Sequence, residues 1–280
     1  MREIDISLIT DLVAKLCMDA NYYLNDDIER AFSRCLALEE SPVGKNVIKT
    51  MMENAKIARE EQVPICQDTG MAVVFMEIGT DVHIRGGDIE EAIHQGVRIG
   101  YEKGYLRKSV VRDPIDRVNT KDNTPAVIHY SMIPGDKIKI TVAPKGFGSE
   151  NMSALKMLTP SAGIEGVKNF VINTVSAAGG NPCPPVIVGV GVGGTMEKCA
   201  LLSKRALLRP CGSENADRFW RDVEKELLEK INALGIGPAG FGGRTTALSV
   251  NIETFPTHIA ALPVAVNIGC HVTRHAEGIL

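Results

Sequence analysis

The chain of 280 residues is 44% hydrophobic and 23% charged, enough apolar material for a large core. Its formal net charge of −3 excludes the basic excess of a nucleic-acid or anionic-membrane binder. No apolar run approaches the roughly 18 residues of a membrane span, and the charged start "MREIDISLITDLVAKL" lacks a signal peptide's apolar core, so a cytoplasmic protein with reduced cysteines is expected.

The first sixty residues read as helices. Leu8, Ile9, Leu12, Val13, Leu16 and Cys17 recur at three- and four-residue steps; Ile28, Ala31, Phe32 and Cys35 form a second such face, and a third helix is expected over 43–59. Pro64 ends this region, and "CQDTG" (66–70) leads into the apolar strand "AVVFMEIG". "GDIEEAIHQGVRIGYEKG" reads as a helix capped by Asp88, with Glu91 three positions on. "PAVIHYSMI" and "KIKITVAP", joined by Pro-Gly-Asp, predict a hairpin. Helices are expected over 151–158 and 163–176. "PVIVGVGVGG" predicts a strand, "TMEKCALLSKRALLR" a helix, and 213–234 a long charged helix. The end alternates glycine loops with apolar strands. These elements predict a mixed α and β fold in one domain, 1–280. A helical part over about 1–62 precedes a part of β-sheets packed with helices, about 63–280.

Seven cysteines are present and none forms a C-x-x-C pair, which argues against zinc ribbons, thioredoxin-like sites and ferredoxin-type runs. Cys17 and Cys35 sit on apolar helix faces, Cys199 lies within a predicted helix, and Cys211 is also assigned to structure. Cys66, Cys183 and Cys270 differ: each stands where a predicted strand meets a loop, beside proline, glycine or polar residues. Loop thiols of this kind suit a metal centre, though the wide spacing alone is a weak signal. "GVGVGG" (189–194) matches G-x-G-x-x-G, but the ribose-binding acid expected about 20 residues on is absent, so a tight turn near a ligand is favoured over dinucleotide binding. Lys145 in "APKGFGSEN" suits an anion, and Arg107 in "YLRKSVVRDP" suits a carboxylate. "NTKDNTPA" reads as a polar turn, and His258 stands before a buried strand.

Taken together, "CQDTG", "PKGFGSENMSALKML", "NPCPPVIVGVGVGGTMEK", "GIGPAGFGG" and the closing "NIGC" resemble the α subunit, or N-terminal domain, of the class I iron–sulfur fumarate hydratases and the related L-tartrate dehydratases. The resemblance runs from about residue 10 to about 275, with the motifs in family order. It implies a 4Fe–4S cluster held by Cys66, Cys183 and Cys270, with one iron left open. It places Gln67 and Asp68 in the substrate pocket, pairs Asp68 with His258, and sets Arg107 and the Gly148 backbone against a substrate carboxylate. Lys145 joins this anion-binding group. Since the chain stops soon after Cys270, the resemblance further implies a β subunit that completes the site, in an α2β2 assembly. No nucleic acid or membrane is expected as a partner.

The loop "KGFGSENMS" resembles the fumarase pattern more than the tartrate one, so reversible hydration of fumarate to (S)-malate is the favoured reading, with L(+)-tartrate dehydration as the alternative. A cluster-binding redox or iron sensor and a cluster-free nicotinamide oxidoreductase are the readings from other classes. A sensor needs neither Asp68 with His258 nor Arg107.

Overall fold

The structure, a computed structural model, describes residues 2–280. In chain order they form β1 (Arg2–Asp5), α1 (Ile6–Tyr22), α2 (Asp26–Leu38), α3 (Pro42–Glu61), β2 (Met71–Gly79), β3 (Val82–Arg85), α4 (Ile89–Lys103), β4 (Val127–Ile133) and β5 (Ile138–Lys145). There follow α5 (Phe147–Glu150), β6 (Ala154–Leu158), α6 (Gly163–Ala178), β7 (Val186–Gly193), α7 (Met196–Ala206), α8 (Arg218–Asn232), β8 (Ala247–Phe255), β9 (Leu262–Gly269) and β10 (Ala276–Ile279). The mixed α and β class read from the sequence is the one observed. Among the described residues no helix is long and apolar enough to cross a membrane.

The chain divides into two compact units that interleave in sequence. The first comprises Met1–Leu24, Asn54–Phe147 and Arg274–Leu280; the second comprises Asn25–Glu53 and Gly148–Thr273. The helical first part is shared between them, since α1 belongs to the first, α2 to the second, and the boundary falls within α3.

In the first unit a four-stranded sheet runs β10-β5-β2-β4, and β1 pairs with β3. The apolar face of α1 (Ile9, Val13, Leu16, Cys17) meets Ile93, Val97 and Tyr101 of α4 and the buried Val74, Met76, Ile138, Ile140 and Val142 of the sheet. Each such aliphatic side chain stabilises by roughly 1.5–3 kcal/mol on burial. The two helices approach closely because Gly96 and Gly100 stand one turn apart on α4. A Cβ on either would come 2.7 Å from a carbonyl oxygen of α1, Thr10 or Ala14 respectively. Asp88 caps α4 as expected, accepting the Glu91 N–H at 2.9 Å.

The expected hairpin of β4 and β5 does not form. Both strands flank β2, β4 parallel to it and β5 antiparallel, with Ile78 opposite Ile138. The reason lies in β2, whose long buried run must have both edges covered, and in its end. Gly79, Thr80 and Asp81 donate their N–H groups to Lys137, Ile133 and Gly135 carbonyls, so the Pro-Gly-Asp loop arches over the end of β2 instead of closing a two-strand turn.

The second unit is built on the sheet β6-β9-β7-β8. Its core joins β7, β8 and β9 to Val167, Val171 and Val175 of α6 and Val223, Leu227 and Ile231 of α8. The glycines of "GVGVGG" do not make a phosphate loop. Gly189 and Gly191 are buried within β7, where a Cβ would come 2.3 Å from the Ser203 oxygen and 2.1 Å from the Cys199 oxygen of α7. Their function is close packing of helix on strand. The charged helix expected over 213–234 begins at Arg218, capped by Asp217.

The helix expected over 151–158 is the strand β6, paired antiparallel with β9 so that Ala154 faces Val266. Local helix propensity in "SALKML" is overridden by this pairing. Ser153 fixes the changeover, because its hydroxyl accepts the Ile268 N–H at 3.1 Å.

Candidate functional site

In the first unit, "CQDTG" is pinned from both ends. Before it, the Ile65 N–H bonds the Asn21 carbonyl at 2.9 Å, and the Ile65 carbonyl accepts from Asn54 Nδ2 at 2.8 Å. After it, Gly70 takes φ +75°, and a Cβ there would lie 2.7 Å from the backbone of Lys145, the residue cross-strand from Met71. Only glycine tolerates both conditions. Gly70→Ala is expected to destabilise the protein by roughly 2–4 kcal/mol, read from the midpoint of chemical unfolding. An unchanged midpoint would contradict this packing.

Between these anchors the loop presents its chemistry. The Asp68 N–H donates to the Cys66 sulfur at 3.4 Å. The Asp68 carboxylate accepts the Gly70 N–H at 3.1 Å and the Phe147 N–H at 2.9 Å, one through each oxygen. Gly146 lets that carboxylate approach, since a Cβ there would stand 3.0 Å from Oδ2. Gln67 is exposed, and Cys66 is half-buried. Arg107 is exposed, but its backbone is held: Thr69 Oγ1 accepts its N–H at 2.9 Å and donates to its carbonyl at 3.2 Å. Lys145 ends β5, with Nζ 3.3 Å from the Gly146 oxygen.

Four residues that sequence reasoning did not single out complete this arrangement. Thr69 ties the loop to Arg107, as above. The Tyr101 hydroxyl stands 2.9 Å from the Thr69 oxygen and 3.0 Å from the Gly70 oxygen; burial holds its phenol neutral, with a pKa well above the usual range. Asn123 donates to the Gly70 oxygen at 3.2 Å and accepts the Ser109 N–H at 2.7 Å. Arg274 donates from Nη2 to the Asp68 carbonyl. Thr69 and Asn123 lie within polar stretches already marked by composition, whereas Tyr101 lies inside a predicted helix with nothing local to mark it.

In the second unit, the loops of two candidate cysteines meet. Cys183 is exposed and takes φ +56°, its N–H donating to the Gly180 carbonyl at 3.1 Å. Its own carbonyl accepts the His271 N–H at 3.3 Å, and His271 Nδ1 stands 2.9 Å from the same oxygen. His271 follows Cys270, which lies half-buried at the end of β9 and whose carbonyl accepts from Thr273 Oγ1 at 2.7 Å. The glycine loop "GPAGFGG" packs on the Cys183 turn through the Ala239 N–H, 2.7 Å from the Pro184 oxygen. That loop is fixed by the buried Glu39, whose carboxylate accepts the Arg244 N–H at 2.9 Å.

Gly148 lies beside Glu150, whose carboxylate binds Lys204 Nζ and, at 2.8 Å, Asn267 Nδ2. This ties Glu150 to the strand that leads into Cys270. A Cβ built at Gly148 would meet nothing within 4 Å. His258 is exposed on the turn between β8 and β9, where its Nδ1 accepts the Ala260 N–H at 3.2 Å, selecting the tautomer protonated on Nε2. Cys66, Gln67, Asp68, Arg107 and Lys145 thus belong to the first unit, and Gly148, Cys183, His258 and Cys270 to the second.

Comparison with known proteins agrees with the motifs. The profile of the family described as "Fumarate hydratase (Fumerase)" matches residues 10–279. A protein of Methanocaldococcus jannaschii named "Putative L(+)-tartrate dehydratase subunit alpha" is 47% identical over 274 residues, covering 96% of each chain. The "L(+)-tartrate dehydratase subunit alpha" of Escherichia coli K12 is 34% identical over 273 residues, covering 96% of this chain and 89% of that protein. With matches of this extent on both measures, the chain belongs to the Fumarate hydratase (Fumerase) family of hydro-lyases.

Proposed function

We propose that this chain is the α-type subunit of an iron–sulfur hydro-lyase acting on a four-carbon hydroxy-dicarboxylate, with a β subunit completing the site in an α2β2 assembly. The observation that carries the reading is the Cys66–Gly70 loop, which sets a thiol and a carboxylate two residues apart on a backbone fixed at both ends. The "subunit alpha" names of the relatives support the β partner.

The donor set fits a cluster. Cys66, Cys183 and Cys270 all lie on loops or strand ends, while Cys17, Cys199 and Cys211 are buried. On this reading Cys66, Cys183 and Cys270 would hold a 4Fe–4S cluster, which when bound supplies a Lewis acid through its one iron without a cysteine ligand.

The remaining roles fall to this chain's own residues. Asp68, with His258, handles the proton that the leaving hydroxyl requires. Arg107, Lys145, Gln67 and the Gly148 backbone bind and orient the two carboxylates. Phe147 and Gly70 keep the Asp68 carboxylate from turning away.

Two substrates fit this reading. The "KGFGSENMS" loop supports fumarate and malate; the names of the relatives support L(+)-tartrate at least as strongly. The assay is the αβ complex, prepared anaerobically, on (S)-malate, fumarate and L(+)-tartrate. Turnover of at least one is expected, and the higher kcat/KM assigns the substrate. Turnover of none would sink the proposal.

A further inference from the structure

We propose that Arg274 is a positioning residue for Asp68, holding the Cys66–Gly70 loop by its carbonyl and setting the carboxylate in place. The inference rests on the reading of Asp68 as the proton-handling group. Arg274 is 5% exposed, in the last segment of the first unit. Its Nη2 donates to the Asp68 carbonyl oxygen, while Nε and Nη1 are buried with no hydrogen-bond partner among the described residues.

A guanidinium has five N–H donors and stays charged, so placing it in a core for a single carbonyl bond is unfavourable without a counter-charge. The Asp68 carboxylate stands at the same glycine as the guanidinium. A Cβ built on Gly146 would stand 3.0 Å from Asp68 Oδ2 and 3.8 Å from Arg274 Nη2, so carboxylate and guanidinium converge on one cradle that glycine leaves open.

The division of labour follows. The Gly70 and Phe147 N–H groups set the direction of the carboxylate, and Arg274 sets the position of the backbone that carries it. Without Arg274 the loop would keep its ends, anchored at Ile65 and Gly70, and lose its centre. A residue that merely filled the core would instead be replaceable by any side chain of like volume.

The test compares Arg274→Gln and Arg274→Lys in the αβ holoenzyme, with amide hydrogen exchange on the same samples. The glutamine variant is expected to lose roughly 30-fold in kcat with KM changed by less than about threefold, cluster absorbance unchanged. Its Gly70 and Phe147 amides should exchange about tenfold faster, while β2 amides stay protected. The lysine variant should recover most of both losses, short of full because it cannot match the planar fork. If the glutamine variant does not fold, Arg274→Met, which keeps the stem and volume, should give the same pattern. Wild-type kcat in the glutamine variant, unchanged exchange at Gly70 and Phe147, or equal losses in lysine and glutamine variants would each overturn the proposal. Should the wild-type complex turn over no dicarboxylate, the functional reading fails on its own, and the exchange of those two amides still decides the role of Arg274.

Discussion

Asp68→Asn in the assembled enzyme is expected to lower kcat by about three orders of magnitude, the usual range for loss of a general acid or base. The cluster should be retained, because the substitution leaves Cys66 and the two anchors of its loop intact. Structure alone accounts for only a small part of the loss. The carboxylate accepts two backbone N–H groups, Gly70 through Oδ1 and Phe147 through Oδ2. Asparagine can satisfy one of them and must turn its own NH2 toward the other, which costs about 1–2 kcal/mol. A loss confined to that would leave roughly a tenth of the activity and move KM and kcat together. The larger loss in kcat alone marks proton transfer. The measurement is anaerobic steady-state kinetics beside cluster absorbance. Full activity in Asp68→Asn would remove Asp68 from the chemistry and return weight to a protein that only binds a cluster.

Much of the fold was legible because the helices of the first sixty residues carry strong periodicity and the strands β2, β7 and β9 are near-continuous apolar runs. The errors arose where pairing is non-local. β4 and β5 looked like a hairpin because adjacency and a Pro-Gly-Asp turn are local signals, whereas the insertion of β2 between them is decided by a strand fifty residues upstream. "SALKML" looked helical because Ala, Leu, Lys and Met favour helices, and its strand state depends on β9, more than a hundred residues later. The same division holds at the site. "CQDTG" stood out by composition, since so many reactive groups seldom share five residues. Tyr101 and Arg274 could not stand out, because their meaning depends on what folding brings to them: two loop carbonyls in one case and the Asp68 backbone in the other. "GVGVGG" shows the opposite hazard, a phosphate-loop spelling in which Gly189 and Gly191 let α7 lie on β7.

Six of the seven cysteines are expected to separate into two chemical classes. Replacing Cys66, Cys183 or Cys270 by serine should abolish cluster absorbance and reduce activity at least roughly 100-fold, since a hydroxyl does not replace a thiolate as a soft ligand to iron. Replacing Cys17, Cys199 or Cys211 by alanine should keep the cluster and instead cost about 1–2 kcal/mol of stability, the usual price of a small buried side chain. The structure supplies an independent route to the same division. Burial pushes the thiols of Cys17 and Cys211 up to about 12 and that of Cys199 up to about 11, so at neutral pH almost none of their thiolate exists to react. Cys183 is exposed, and Cys66 and Cys270 are half-buried on loops. In cluster-free protein an alkylating reagent at pH 8 should therefore modify Cys183 first, Cys66 and Cys270 next, and leave Cys17, Cys199 and Cys211 untouched until the protein unfolds. Reconstitution with iron and sulfide should then protect the first three and change nothing at the last three. Labelling at Cys17, Cys199 or Cys211 in folded protein would contradict their burial, and continued labelling of Cys66, Cys183 or Cys270 after a stable cluster has formed would remove that residue from the ligand set.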